Sequence, residues 1–155
     1  MRKAMLVLAV FGLVCSLWAA DPSIGTWKLN IAKSKLVPGA QGLPKEETIV
    51  IRELGKDEFE LTLTGIEGNG AKTSFKITWP QRGGVATDSN ATKGDSSVVT
   101  MIGPGEWYDT AMQNGKQNQF VHSSISKDGK TMNVRVKATD AQGKTTEQLA
   151  IYEKQ

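Results

Sequence analysis

Hydrophobic and polar residues alternate one by one along most of this chain. Glu58-Phe59-Glu60-Leu61-Thr62-Leu63-Thr64 places Phe59, Leu61 and Leu63 on one face, and Lys72 to Trp79 does the same with Phe75, Ile77 and Trp79. Met132, Val134 and Val136 alternate with Asn133, Arg135 and Lys137; Leu149 and Ile151 alternate with Gln148, Ala150 and Tyr152. A period of two with one apolar face means strands buried on one side and wet on the other, the pattern of antiparallel sheets. Turn residues punctuate the runs at Gly55-Lys56-Asp57, Glu67-Gly68-Asn69-Gly70, Lys127-Asp128-Gly129-Lys130 and Asp140-Ala141-Gln142-Gly143. Asp128-Gly129 predicts a two-residue type I′ hairpin, because both residues tolerate positive φ. About ten strands follow, near 24–30, 47–54, 58–65, 72–79, 83–88, 96–102, 106–112, 117–126, 131–139 and 145–153. Spacing of about ten residues per strand and turn predicts an all-β sandwich or meandering barrel. One helical turn is expected near Ile31–Lys35 with Asn30 as its N-cap, then a loop through Pro38-Gly39 and Gly42-Leu43-Pro44.

Composition changes the picture once residues 1–20 are set apart. Met1-Arg2-Lys3 is a charged start, Ala4 to Leu17 an apolar run, and Ala19-Ala20 a small-residue cleavage site before Asp21. That layout is a secretory signal peptide, and its apolar run is short for a membrane span. The expected mature domain is 21–155, periplasmic or extracellular, with no transmembrane segment. Losing Arg2 and Lys3 takes Lys+Arg from 19 to 17 against 16 Asp+Glu. A balance near neutrality gives no electrostatic ground for a nucleic-acid partner. Cys15 leaves as well, so the mature chain has no thiol for a disulfide, a nucleophile or a metal. Lipidation at Cys15 is disfavoured by Val14 in the preceding position.

Ile24-Gly25-Thr26-Trp27-Lys28-Leu29-Asn30 puts Gly-x-Trp on the first strand, which resembles the opening of the calycin superfamily: lipocalins, cytosolic fatty-acid-binding proteins and avidins. The resemblance implies an up-and-down β-barrel of about 8–10 strands. In it, Trp27 would close one end and Gly25 would permit close backbone approach. The whole mature chain is similar to small secreted bacterial lipocalin-like proteins of unassigned function. These share Gly-Thr-Trp-Lys-Leu-Asn-x-Ala-Lys-Ser-Lys (Gly25–Lys35), Ser-Lys-Asp-Gly-Lys (Ser126–Lys130) and Thr-Asp-x-x-Gly-Lys (Thr139–Lys144). Departures matter for the ligand. Fatty-acid-binding proteins hold a lipid carboxylate with Arg-x-Tyr on the last strand; here Tyr152 is present but Ala150 stands where that Arg would be. Segment 31–45 is too short and too rich in Pro and Gly for their two-helix lid. The late Arg that lipocalins pair with the first-strand Trp has Arg135 as its nearest candidate, whose alternation with Val134 and Val136 points it to solvent.

Candidate chemistry is sparse. His122 is the single histidine. Asp109 or Ser123 would be its partners as a general base, but no nucleophile motif accompanies it. If Phe120 faces inward, His122 shares its face and lines the interior. Gly65 to Thr73 nearly spells a phosphate loop, yet Ala71 breaks the spacing and the segment joins two strands, so it reads as a hairpin. Asp88–Asp95 departs from the EF-hand pattern at Lys93 and Val99. No metal and no cofactor are expected.

The aromatic residues therefore carry the functional expectation. Barrels of this size hold one small ligand, and Trp79, Trp107, Tyr108 and His122 are the expected cavity lining for a small hydrophobic or amphipathic molecule. A protein-interaction module acting through loops 37–45, 81–95 and 103–106 is the alternative, and catalysis is the least favoured reading. Outer positions Glu58, Glu60, Lys76, Arg135 and Lys137 oppose edge-to-edge pairing, so a monomer is expected.

Overall fold

The computed structural model describes residues 20–39, 41–55 and 57–155. The expected signal segment and Cys15 lie outside these residues, apart from Ala20. Among the described residues ten strands run β1 (Gly25–Leu29), β2 (Glu46–Leu54), β3 (Glu58–Ile66), β4 (Lys72–Pro80), β5 (Gly84–Asp88), β6 (Asp95–Gly103), β7 (Glu106–Gln113), β8 (Lys116–Ile125), β9 (Thr131–Thr139) and β10 (Thr145–Lys154). Each lies within one residue of its expected bounds. A 3-10 turn, Ile31–Lys33, follows β1, and its N-cap is Asn30, whose side chain accepts from the Lys33 N–H at 3.1 Å. No helix among the described residues is long and apolar enough to cross a membrane.

Every strand pairs antiparallel with its sequence neighbour, and β1 pairs with β10 to close the barrel. Alternation explains closure: inward apolar residues such as Phe59, Leu61 and Leu63 on β3, Phe75, Ile77 and Trp79 on β4 and Met132, Val134 and Val136 on β9 are buried by curling the sheet onto itself. On β10 it is Gln148, Ala150 and Tyr152 that face in and Leu149 that faces out. The thinnest seam flanks β5, which meets β4 through Ile77↔Asp88 and Thr78↔Thr87 only.

Up-and-down order puts the loops after β2, β4, β6, β8 and β10 at one end, and those after β1, β3, β5, β7 and β9 at the other. The first end is solid. Trp27, Ile51 and Met132 are fully buried there. Phe59, Trp79 and Trp107 form an aromatic row across it, with ring centroids 5.8 Å and 6.2 Å apart. Residues 21–24 plug the base: the Trp27 indole N–H donates to the Ser23 carbonyl at 2.8 Å, and the Gly105 N–H donates to Asp21 at 3.2 Å.

Two local details differ from expectation. Asp128-Gly129 is not a type I′ turn. Only Gly129 has positive φ (69°), and Asp128 instead accepts from the Ser126 hydroxyl and the Lys130 N–H, capping a longer loop. Among the described residues, Asn114-Gly115 (52° and 75°) forms a two-residue turn with both φ positive, joining β7 to β8 through the Gln113↔Lys116 pair. Close approach at Gly25 comes from a side chain rather than backbone. The position has φ 139°, and a Cβ there would sit 2.8 Å from Lys154 Cε.

Candidate functional site

Above the solid end the barrel is hollow. A cavity of about 520 Å³ occupies this half. Its walls are the inward residues of the strands, among them Leu29, Ile49, Leu61, Leu63, Phe75, Ile77, Val121, Val134 and Val136, with Met132 and Trp107 towards the floor. The segment after β1 folds over its mouth. Lys35 exchanges backbone hydrogen bonds with Leu149 at 2.7 Å and 2.9 Å, anchoring the segment on β10. Leu36, Val37, Gly39, Gly42 and Pro44 then reach the cavity. At its far side the strap presses on the β3–β4 turn, where a Cβ on Gly68 would lie 2.7 Å from the carbonyls of Gln41 and Leu43.

Polar groups interrupt these apolar walls in a consistent way. Glu47, Glu67, Asp88 and Asp109 line the cavity, together with Ser97, Gln119, Ser123, Gln148 and Tyr152, and among the described residues no lysine, arginine or histidine does. Glu47 sits in phase with Ile49 and Ile51 on β2, and Asp109 in phase with Trp107 and Ala111 on β7, so strand periodicity turns both carboxyls inward. The Tyr152 hydroxyl donates to Glu47 and the Ser97 hydroxyl donates to Asp109. Burial pushes the Glu47 carboxyl above its ordinary range; the Tyr152 hydrogen bond opposes this and the nearby Glu67 charge adds to it. Asp109 is raised for the same reason, burial first, with Ser97 opposing and Asp88 adding. Tyr152 is itself held far above the ordinary phenol value by burial, then by Glu47.

The expected lining residues separate into three places. Trp107 lines the cavity floor. Trp79 is buried beneath it, 3% exposed, and its indole N–H has no partner among the described residues. Tyr108 and His122 face outward, a correction to their expected place in the interior. Trp107 and Tyr108 are consecutive on β7, so only one can face in. On β8 it is Gln119, Val121 and Ser123 that face in, leaving Phe120 and His122 outside. There Tyr108 packs against Phe120 and His122 (5.1 Å and 4.7 Å), and His122 Nε2 lies 2.9 Å from Glu106. This outer groove also carries Lys35, Arg135 and Lys137.

Trp27 and Gly25 stand at the closed end, as described. Lys154, not Arg135, lies over the Trp27 ring, 5.0 Å from its centroid, and donates to the Pro22 carbonyl at 3.1 Å. Gly65–Thr73 is a hairpin connection, with hydrogen bonds between Glu67 and Ala71 and between Gly70 and Glu67. In the 88–95 loop the carboxylates cap the loop itself: Asp88 accepts from the Asn90 N–H and Asp95 from the Thr92 N–H and hydroxyl. Among the described residues no three His, Cys, Asp or Glu side chains are grouped to hold a metal ion.

No protein-family model and no curated protein matches the chain. Several solved structures do. The wild-type fluorescent protein UnaG aligns with a TM-score of 0.59 at 18% identity, over 87% of this chain and 98% of UnaG. A UnaG point mutant gives 0.61 at 16%, over 87% and 97%. The zebrafish ileal bile acid-binding protein, complexed with cholic acid, gives 0.50 at 16%, over 86% and 99%. The likeness at these identities is one of fold: the chain shares with these structures a closed antiparallel β-barrel.

Proposed function

We propose that this protein is an exported, monomeric carrier or scavenger that encloses one small apolar or amphipathic molecule without covalent chemistry. The observation that carries the reading is the cavity of about 520 Å³ above a packed floor, within the size range of ligand pockets. Aliphatic walls supply affinity at about 25 cal/mol per Å² of apolar surface removed from water. The few polar groups orient the ligand. The shared fold supports the reading, since the zebrafish bile acid-binding protein was solved with cholic acid. His122 supports binding over catalysis, because the single histidine lies outside the cavity beside Glu106. A closed sheet leaves no edge for pairing, in keeping with a monomer.

The test is native mass spectrometry of residues 21–155 purified from the secretory route, beside an Ala111→Phe variant. Ala111 lines the cavity, and the added ring fills it. The wild type should carry a co-purifying mass that denaturation releases, and the variant should lack it while keeping its thermal midpoint within a few degrees. A mass retained by a folded variant would move the ligand outside the barrel.

A further inference from the structure

The cavity's charge is one-sided, and its carboxyls are not scattered. Glu47 and Tyr152 belong to β2 and β10, the two neighbours of β1; Ser97 and Asp109 belong to β6 and β7. Counted around the ten strands, these pairs stand on opposite walls. Each carboxyl receives one hydroxyl, on Oε1 of Glu47 and Oδ1 of Asp109. Among the described residues no hydrogen bond reaches the other oxygen of either. A carboxylate has about four acceptor sites, so each wall offers acceptors that the protein leaves open. A carboxylate or phosphate ligand entering here would meet like charge, with no cation among the described lining residues to offset it. A buried charge is tolerated only when it is paired and hydrogen-bonded.

We propose that the ligand is an apolar molecule bearing a protonated amine, its hydrocarbon against the aliphatic walls and its ammonium taken by the carboxyl of one wall, Glu47 or Asp109. The proposal rests on the cavity-binding reading above. An ammonium supplies three donors and no acceptor, the complement of carboxyls that already hold their one hydroxyl each. At either wall it also relieves a repulsion, that of Glu67 on Glu47 or that of Asp88 on Asp109. Burial strengthens the exchange, because a carboxyl that resists ionising alone ionises readily beside a cation.

Decylamine, decanol and decanoate share one chain and differ only in headgroup, so calorimetric titration of the three into the purified barrel at neutral pH, below their aggregation concentrations, separates cavity from charge. Decylamine should bind at least 10-fold more tightly than decanol, and decanoate should not bind measurably. Whichever of Glu47→Gln and Asp109→Asn removes the occupied carboxyl should weaken decylamine by about 10-fold, both should leave decanol unchanged, and the double variant should bind amine and alcohol alike. Decanol or decanoate binding as tightly as decylamine would overturn the amine proposal and leave the cavity reading standing. An amine preference that survives in the double variant would overturn it too. If none of the three binds a folded barrel, the cavity reading itself fails.

Discussion

Glu47 and Asp109 show what a buried carboxyl does to the barrel that holds it. A carboxyl whose pKa is raised on folding binds its proton more tightly in the native state. Its contribution is therefore present at acid pH, below the unfolded-state value, and is lost as pH climbs through the raised native value. Glu60 works in the opposite sense. It lies outside, under Arg52 at 2.7 Å and Lys76 at 3.3 Å. Partial burial pushes its pKa up, yet the two cations outweigh this and hold it low. Its contribution is present above the ordinary carboxylate value and lost on acidification. Glu47→Gln and Asp109→Asn should each stabilise the empty barrel at pH 7, by about 1 kcal/mol, and the gain should vanish near pH 4. Urea unfolding at the two pH values reads this directly. A variant that gains equally at both would show that packing, not ionisation, is responsible. Gain in stability with loss of amine binding is the expected trade at a preorganised site.

At the scale of strands and turns, how much the sequence reveals depends on how one-sided each run is. β3 and β4 are apolar on one face only, so their orientation is legible. Gln119-Phe120-Val121-His122-Ser123 offers an apolar residue to each face, and period two alone cannot choose. Pairing settles it: Trp107 stands opposite Ser123 and Tyr108 opposite His122, so once Trp107 turns in, Phe120 and His122 must turn out. The inward carboxyls had a signal of the same kind, since each is in phase with a large apolar residue, Asp109 with Trp107 and Glu47 with Ile49. Charge alone suggests an outer position, and phase overrules it. Lys154 over Trp27 had no signal, because the contact joins the chain's first and last strands. Turn chemistry was legible in kind and misplaced in position: Asn114-Gly115 meets the type I′ requirement that Asp128 escapes by capping its own loop. At Gly115 a Cβ would meet nothing within 4 Å, while φ is 75°. Gly115→Ala should therefore cost about 1 kcal/mol from backbone strain alone, measured by chemical denaturation. A neutral result would mean the turn relaxes to another type. Gly25→Ala combines φ 139° with the Lys154 clash, and should cost more, about 2 kcal/mol. Gly25→Ala in a Lys154→Ala background should recover part of that loss.

The whole molecule is two materials in one sheet, a packed base and a hollow upper half, and the same substitution should have different consequences in each. Ile51 is 1% exposed and lies among the base residues, outside the cavity lining. Leu63, 8% exposed, lines the cavity. Truncating a packed residue removes its transfer free energy and opens a new void, so the loss rises with void volume; next to existing empty space, fewer contacts are there to lose. Ile51→Ala should cost about 4 kcal/mol and Leu63→Ala about 2 kcal/mol, the upper part and the lower end of the range for buried aliphatic truncations. Binding should respond in the reverse order. Leu63→Ala widens the pocket and should shift preference toward bulkier ligands, whereas Ile51→Ala should leave the preference unchanged wherever the barrel remains folded. Equal stability losses at the two positions would mean that the upper half is packed as tightly as the base, and would leave no room for a ligand between the opposed carboxyls of Glu47 and Asp109.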